Sequence, residues 1–561
     1  MKFIVLLLLS LCMLPFSKER VLKLPSFIIP LLFWVIVGSV EYFFLLDNNV
    51  SSVLVFYALL SGVCIFLSTL FPVVLEASFT KELLIKVGLS LLLGLSFIYF
   101  GMIHGLFTGK DRYEAVHHKS EEISELITEK DTPFVVPPET ARNKMKKVFG
   151  NIDQVSYYEL GELTPQNVNG EFVYVAPIES SSFMKARKAG HLPGYITMSG
   201  TDPDAEAELH NGFKMKYAPS LYFRHNLERL VRKSEPSVIF KGEPTLEIDD
   251  DGTPYYVMTY GNFVSGRSGF DPKGVVVINP QTGKVQKYTT KDAPTFIDGV
   301  VNDETADYLN ETFGTMVHGV FNSWFSNTDV KEPTFYGEYE TVTPIFAKDG
   351  SMYYFTDFTS PKEEIDSALG YSLVNGRTGE VVYYSGKQID GVMDSSGAVE
   401  VVDNSFKKEK WTGTMPVLYN IYGNPSWLVP VVDNGGLIRA YAVVSGTNAK
   451  VFASGTTIKE ALKKYNTALE KKTAISKPSS EIGKEKTIEG EVLRVFKETR
   501  EDDETIVYIL LKNQETVFVV SSVDFIYSKF VEVNDRVKIT YKETGQLEVA
   551  VSDFVNMNLN K

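Results

Sequence analysis

The stretch that most constrains this chain is residues 247–257, EIDDDGTPYYV: an alternating run, an Asp-Gly pair, then an aromatic run. Asx-Gly pairs reach positive φ at little cost, and tight hairpins need that, so the stretch predicts strand, turn, strand. Variants recur along the chain. Asn169-Gly170 is followed by EFVYVAP, Asp349-Gly350 by SMYYFTDF and, more loosely, Gly423-Asn424 by PSWLVPVVDNGG. A second run follows each: GYITMSG from Gly194, GVVVINPQTGKVQKY from Gly274, GYSLVNGRTGEVVYY from Gly370 and GLIRAYAVVSG from Gly436. Thr-Gly pairs at 282–283 and 378–379 place a further turn inside the middle two. Self-similarity of this kind predicts repeated units, each a small antiparallel meander. Helices are expected before the first three, over 139–148, 220–233 and 303–325 (the last capped by Asp303), with no clear helix before the fourth. The turn glycines at 170, 252, 350 and 423 are unevenly spaced, which argues for diverged α+β units and against a regular solenoid.

Residues 1–108 are of another kind. Residues 3–16 are almost wholly apolar, and 25–46, 52–77 and 83–108 are three further apolar stretches. Each of those three is long enough to cross roughly 30 Å of hydrocarbon, which takes about 20 helical residues. The first is shorter and is expected as a fourth, marginal span, making three to four helices in all, with a signal-peptide core or an uncleaved signal anchor as the alternatives. Lys18, Arg20, Lys23, Lys81 and Lys86 put 17–24 and 78–86 in the cytoplasm, against a loop at 47–50 without positive charge. Everything after the last stretch is then outside, with Lys2, Lys110, Arg112 and Lys119 opposing that bias. Glu41 and His104, with Glu76 at an edge, are ionisable groups in apolar surroundings, expected to reach the interface by snorkelling. Gly88, Ser90, Gly94 and Ser96 form a small-residue stripe suited to close helix packing.

The 561 residues are too many for one core, so several domains are expected. The ranges are 1–108 for the transmembrane region, 109–138 for a juxtamembrane helix and proline linker, 139–475 for the repeats, 476–486 for a linker and 487–561 for a small β-barrel. The juxtamembrane helix is placed over 113–130, with Val116, Ile123, Leu126 and Ile127 on one face. An amphipathic helix is expected over 456–472, with Ile458, Ala461, Leu462, Tyr465 and Leu469 on one face, capped by Thr456 or Thr457, with Glu460 three residues after Thr457 as in a capping box. Five strands at 487–496, 505–512, 515–521, 536–541 and 547–552 suggest an OB-like or SH3-like barrel, with Gly490 bending the first. Balanced charge and few outward aromatics there favour protein contact or a spacer role.

Chemistry-bearing patterns are sparse. The net charge of −14 opposes a nucleic-acid partner. The two cysteines, Cys12 and Cys64, both lie in the apolar region, so the rest has neither a disulfide framework nor a cysteine metal knuckle, which suits a Gram-positive exterior and equally a low-cysteine cytoplasmic protein. Glu247, Asp249, Asp251 and Gly252 mimic the start of a calcium loop, but Met258 stands where its closing Glu should be. His117-His118 are adjacent, and no metalloprotease, nucleophile-elbow or phosphate-loop motif occurs. No cofactor is expected.

The sequence of a helix, DG-x-x-YYV, then VVVINPQTGKV resembles PepSY-type modules of bacterial envelope proteins, best over 215–290 and next over 303–386. The resemblance implies a helix packed on a small antiparallel sheet, in an extracytoplasmic binding or regulatory module, and brings no catalytic residues with it. The expected fold is therefore α+β: N-terminal transmembrane helices, tandem PepSY-like units, then an OB-like barrel. The expected role is that of a non-catalytic, membrane-anchored envelope protein. Its partners would be the lipid bilayer and another envelope protein or a wall polymer, met through Tyr255, Tyr256, Tyr353 and Tyr354. The alternatives are a subunit of a transport or secretion complex, and a hydrolase with paired carboxylates in a cleft between repeats.

Overall fold

Three of the four hairpin tips are Asx-Gly turns as expected, while the fourth turns at Tyr422-Gly423 and not at Gly423-Asn424, since Asn424 already begins the strand Asn424–Val432. Gly170, Gly252, Gly350 and Gly423 have φ of +88°, +78°, +86° and +80°, and Asn169 and Tyr422 are also left-handed. The structure, a computed structural model, describes residues 1–15, 27–76, 81–122, 134–337, 340–362, 367–473, 485–499, 505–522, 524–542 and 548–559. It is a mixed α+β chain with several antiparallel sheets, in two compact units: residues 1–397 with 435–438, and residues 398–434 with 439–561.

Each tip leads into the longest strand of its sheet. In the first sheet, Glu171–Ser180 pairs with Tyr158–Leu160 and Thr164–Val168 on one edge and with Leu192–Ser199 on the other, followed by Glu208–Met215. The second has Pro254–Val264 between Ile239–Phe240 with Thr245–Ile248 and Gly269–Ile278, followed by Val285–Thr289. The third has Met352–Thr359 between Glu332–Pro333 with Thr343–Phe346 and Gly370–Asn375, followed by Val381–Ser385. The fourth, in the second unit, repeats the order with Asn424–Val432 following Thr412–Gly413 and Val417–Ile421 and preceding Ile438–Ser445 and Asn448–Gly455. Strand side chains alternate faces, so one position after each tip is held to the core. Four residues past the turn glycine stand Tyr174, Tyr256, Tyr354 and Trp427, at 1%, 0%, 4% and 0% exposure.

The first two sheets are not independent. Val175, Leu192, Tyr195 and Met215 of the first share one core with Leu246, Tyr256, Val276 and Ile278 of the second, and Leu227 and Val231 of helix Leu227–Ser234 fill it. That helix begins later than expected. Asn226, whose side chain accepts from Arg229 N at 3.0 Å, caps it, and residues 223–225 form a 3-10 turn. The helix expected over 303–325 is two helices, Asp303–Thr315 and Val320–Phe325, broken before Gly319 (φ +84°). Its cap is Asn302, which accepts from Thr305 N at 3.0 Å, and not Asp303. A helix, Ser395–Ser405, does precede the fourth sheet.

The juxtamembrane helix is corrected as well. Gly109–Ala115 is helical, but His118–Glu122 is a strand that pairs in parallel with Val381–Ser385, on the edge of the third sheet. Ile123, Leu126 and Ile127 lie outside the described residues. Beyond them the segment is no loose linker: Phe134 and Val136 are buried, and Val135 and Val136 N donate to Gly200 O.

Among the described residues of the apolar region, one helix, Lys81–Phe107, is long and apolar enough to cross a membrane. Lys2–Leu11, Ile28–Phe44 and Val53–Thr69 are apolar but shorter. Lys18, Arg20 and Lys23 lie outside the described residues. The small-residue stripe is used in part. A Cβ on Gly62 would stand 3.1 Å from Ser90 O and 3.8 Å from Gly94 N, whereas Gly88 has open space beside it.

In the second unit, Ile458–Thr473 meets half of the capping-box pattern: Glu460 N donates to Thr457 Oγ1 at 3.2 Å, but the Glu460 carboxylate accepts from Thr456 N, one residue before the cap, at 2.9 Å. The expected linker at 476–486 lies outside the described residues except at its end. Glu485–Thr499, Thr505–Leu511, Val517–Ser521, Glu548–Asn556 and Arg536–Lys542 close, in that order, into a barrel around Val507, Ile509, Phe518 and Ile539. Its first strand is long enough to pair with two neighbours because it bends: Gly490 lets Leu511 approach to 2.9 Å from where a Cβ would be, and the register shifts between Val492 and Arg494. The expectation of few outward aromatics fails, since Phe496, Tyr527 and Phe530 are exposed.

Candidate functional site

The loop that leaves helix Ile28–Phe44 begins with Leu45 in the left-handed region, φ +50°. Asp47 then makes an Asx turn, its Oδ1 accepting from Asn49 N at 3.1 Å and Asn49 Nδ2 at 2.7 Å. The other carboxylate oxygen turns away from this loop to meet the second sheet. Arg267 Nη2 donates to Asp47 Oδ2 at 2.7 Å and Nη1 to Oδ1 at 3.3 Å. Both side chains are largely buried. Burial pushes the Asp47 carboxyl up, but the Arg267 guanidinium and the Asn49 donors outweigh it and hold it below the usual carboxylate range.

Arg267 sits in the turn between the two longest strands of the second sheet, where Ser265 and Gly266 have φ of +38° and +74°. Its guanidinium lies 4.1 Å from the Phe263 ring centroid and 5.2 Å from that of Phe56. The same turn reaches the end of the last apolar helix. His104 Nε2 lies 3.0 Å from Ser265 O, and Thr108 Oγ1 lies 2.7 Å from Ser268 Oγ. A side chain at Gly269 would strike Arg112 Cγ at 2.6 Å.

A helix leaves its last carbonyls without intrahelical donors and with partial negative charge. Helix Leu227–Ser234 supplies cations to those at the end of Ile28–Phe44. Arg229 Nη1 donates to Tyr42 O at 2.6 Å, and Arg232 Nε to Leu45 O at 2.8 Å. Asn48 N donates to Pro236 O at 2.7 Å. Lys2 closes the group: its buried ammonium donates to Glu41 Oε1 at 2.7 Å and Asp47 O at 2.8 Å, and Tyr57 Oη donates to Glu41. The loop at 45–52 and the end of Lys81–Phe107 therefore meet the second sheet at one end of the apolar helices, where the Lys2 end of Lys2–Leu11 joins the loop.

A second polar centre joins the first three sheets. Glu247 is fully buried, and its two oxygens accept from Asp298 N at 2.8 Å and Gly299 N at 3.1 Å. Asp298 Oδ2 accepts from Asn167 N of the first sheet at 2.6 Å. Arg377, from the turn at 375–379 in the third sheet, donates to Ile297 O at 2.9 Å and to Ala293 O. Gln166 Nε2 donates to Ile248 O at 2.6 Å. Burial, then the Asp298 charge, pushes the Glu247 carboxyl far above its ordinary range, and burial pushes Asp298 up as well. Glu179 is another such group: burial raises it, although Ser220 and Tyr256 donate to it.

The tyrosine surface does not form. Tyr256 and Tyr354 point into the core, while Tyr255 and Tyr353 are half-buried, Tyr255 lying 5.2 Å from Phe296. Adjacent strand residues face opposite ways, so a Tyr-Tyr pair cannot line one surface. Glu41 and His104 are drawn into protein contacts instead of merely snorkelling. The calcium-like loop is split: Glu247 faces inward, and Asp249 Oδ1 accepts from Asp251 N at 3.1 Å and Thr253 N at 2.8 Å. His117 lies 3.8 Å from Asp271, and His118 Nδ1 lies 2.8 Å from Val116 O. No group of three or more His, Cys, Asp or Glu able to hold a metal occurs among the described residues. Sequence reasoning passed over Asp47, Arg229, Arg232 and Arg267. The signals were an Asp-Asn-Asn loop without positive charge and a Ser-Gly-Arg-Ser-Gly tip between two apolar strands.

Residues 18–113 match a domain of unknown function, DUF3981. That match takes in Glu41, Asp47, His104 and Arg112 and stops short of the sheets that contact them. No curated protein matches the chain. Among solved structures, the crystal structure of polysaccharide lyase Uly1 aligns at 10% identity over 65% of this chain, with a TM-score of 0.17. The chain spans 57% of that structure's length, and so low a score carries no argument about fold.

Proposed function

We infer that the chain is a membrane-anchored protein of a bacterial cell envelope. Its sheet modules stand outside the membrane and bind another envelope protein or a wall polymer without catalysis. The observation that carries this reading is the seat of the 265–269 turn on Asp47, His104 and Thr108. It fastens the second sheet directly to one end of the apolar helices, where a flexible tether would leave it free. The reading takes the shorter helices as spanning together with Lys81–Phe107, with exposed leucines such as Leu8, Leu31, Leu91 and Leu95 facing lipid. At about 1.5 Å per residue, Ile28–Phe44 covers roughly 26 Å, close to the hydrocarbon thickness.

The modules are taken as diverged copies of one PepSY-like unit. The shared strand order, the buried aromatic four residues past each turn glycine, and a second repeated turn support this. In that turn, Gly283 N donates to Asn279 O at 2.9 Å and Gly379 N to Asn375 O at 2.8 Å, while the Asn279 side chain accepts from Gln281 N and Thr282 N and that of Asn375 from Arg377 N and Thr378 N. The barrel is taken as OB-like, supported by the shared first strand and the parallel pairing of Val517–Ser521 with Glu548–Asn556.

The Glu247–Asp298 pair is what a hydrolase reading would use. Glu247 is wholly enclosed with both oxygens engaged, so the pair reads as a lock between modules. The test is to incubate the purified full chain, in detergent, with isolated bacterial walls. Co-sedimentation, or cross-linking to a wall-bound protein, with no release of soluble fragments is the expected result. Fragment release that is lost in Glu247→Gln would establish the hydrolase in its place, and absence of both association and release would contradict the binding role.

A further inference from the structure

We propose that the short helix Val320–Phe325 is an interfacial membrane anchor, with Phe321, Trp324 and Phe325 entering the headgroup zone of the leaflet that faces the modules. This rests on the membrane reading above. The helix is VFNSWF, and its aromatics are left in the open: Phe325 is 80% and Trp324 59% exposed. Its polar side is occupied. Asn322 Oδ1 accepts from Ser326 Oγ at 2.8 Å and Thr328 N at 3.2 Å, and its Nδ2 donates to Thr328 O at 2.9 Å. That network fixes the turn after the helix and leaves its aromatic side as the outward one.

What covers that side follows from where it is fastened. Gly109, just past the last apolar helix, touches the start of the aromatic helix backbone to backbone: a Cβ there would stand 2.7 Å from Gly319 Cα and from Val320 N. The Phe107 and Phe321 ring centroids are 5.7 Å apart, and Phe107 is itself exposed. The aromatic surface thus continues that of the apolar helix without a break. Lys81–Phe107 has 27 residues. At about 1.5 Å each that is roughly 40 Å, against about 30 Å of hydrocarbon, so one end must lie among headgroups. Trp and Phe beside a bilayer gain from burying ring area at that depth, while the Trp N–H still finds polar partners. Helix Gly109–Ala115 and strand His118–Glu122 hold the third sheet to the same exit point, since Tyr113 stacks on Phe313 at 6.1 Å. A bilayer is therefore the occupant that the geometry puts within reach.

The test uses the full chain in proteoliposomes, with Cys12 and Cys64 replaced and an environment-sensitive fluorophore on a single introduced cysteine. Phe325→Cys is compared with Lys348→Cys, which lies beyond the far end of Met352–Thr359, roughly 25 Å along that strand. Quenching by headgroup-proximal nitroxide lipids is expected to be several-fold greater at Phe325→Cys than at Lys348→Cys. Equal, weak quenching would overturn the anchor, as would a blue-shifted probe at Phe325→Cys that no lipid quencher reaches, which would show a protein covering it. Leu92→Cys separates the two readings: if deep nitroxides quench it while Phe325→Cys stays unquenched, only the anchor falls; if neither is quenched, the membrane reading falls with it.

Discussion

Arg267 donates to both carboxylate oxygens of Asp47 across 220 residues of chain, and in doing so seats the second sheet on the apolar region. Removing one partner of a buried ion pair strands the other. Arg267→Ala is expected to destabilise the seat by roughly 3–5 kcal/mol. It should lower the thermal unfolding midpoint in detergent and expose the 265–269 turn to protease. Arg267→Ala in an Asp47→Asn background should cost much less, and additive losses would show that the pair is not coupled. Because the Asp47 carboxyl is held below its ordinary value, its contribution is present at neutral pH and lost as pH falls through and below about 4.

Asp357 is buried in the third sheet, where its Oδ2 accepts from Ser395 N at 2.9 Å. Burial pushes its carboxyl up to about 6. Between about 4 and 6 the folded chain binds a proton that the unfolded chain has released, so stability falls as pH rises through that window, by about 3 kcal/mol. Asp357→Asn keeps an acceptor for Ser395 N and has nothing to titrate. Denaturant midpoints measured from pH 4 to pH 7 should flatten in the variant, and an unchanged slope would assign the pH dependence elsewhere.

Glu247 and Asp298 titrate as a pair. Both folded values are raised, so their contribution is greatest below the ordinary carboxylate range and declines as pH rises through neutrality. Glu247→Gln is expected to be more stable than the parent at pH 8 and no more stable at pH 4. The reverse order in chemical unfolding would mean that the pair is ionised at no cost.

The two tyrosines of one pair should behave differently. Tyr354→Ala removes a buried ring and should cost about 3–5 kcal/mol. Tyr353→Ala, on the opposite face, should cost roughly 1 kcal/mol. Equal costs in thermal unfolding would contradict the strand register that pairs Tyr354 with Val374 and Pro344.

What the sequence disclosed is what is decided locally. Positive φ at Gly252 and Gly350 and the capping of Ile458–Thr473 by Thr457 and Glu460 depend on neighbours a few residues away, and they are legible. The strand at His118–Glu122 is not, because its charged residues become a strand only beside Val381–Ser385, some 260 residues on. The break at Gly319 is visible only where Gly109 presses against it. Tyr256 was legible as a strand residue but misplaced as a surface one, since alternation alone does not say which face is inside. Asp47 and Arg267 look like ordinary loop residues until the fold brings them together.

The most direct measurement is the side of the membrane on which the modules lie. Lys291→Cys, at an exposed position of the second sheet's module, would be introduced after replacing Cys12 and Cys64, and intact cells treated with a membrane-impermeant thiol reagent. Labelling without lysis is expected, with Asn49→Cys on the same side once the Arg267→Ala change opens the seat. Labelling of Lys291→Cys only after lysis would put the modules in the cytoplasm and contradict the envelope reading.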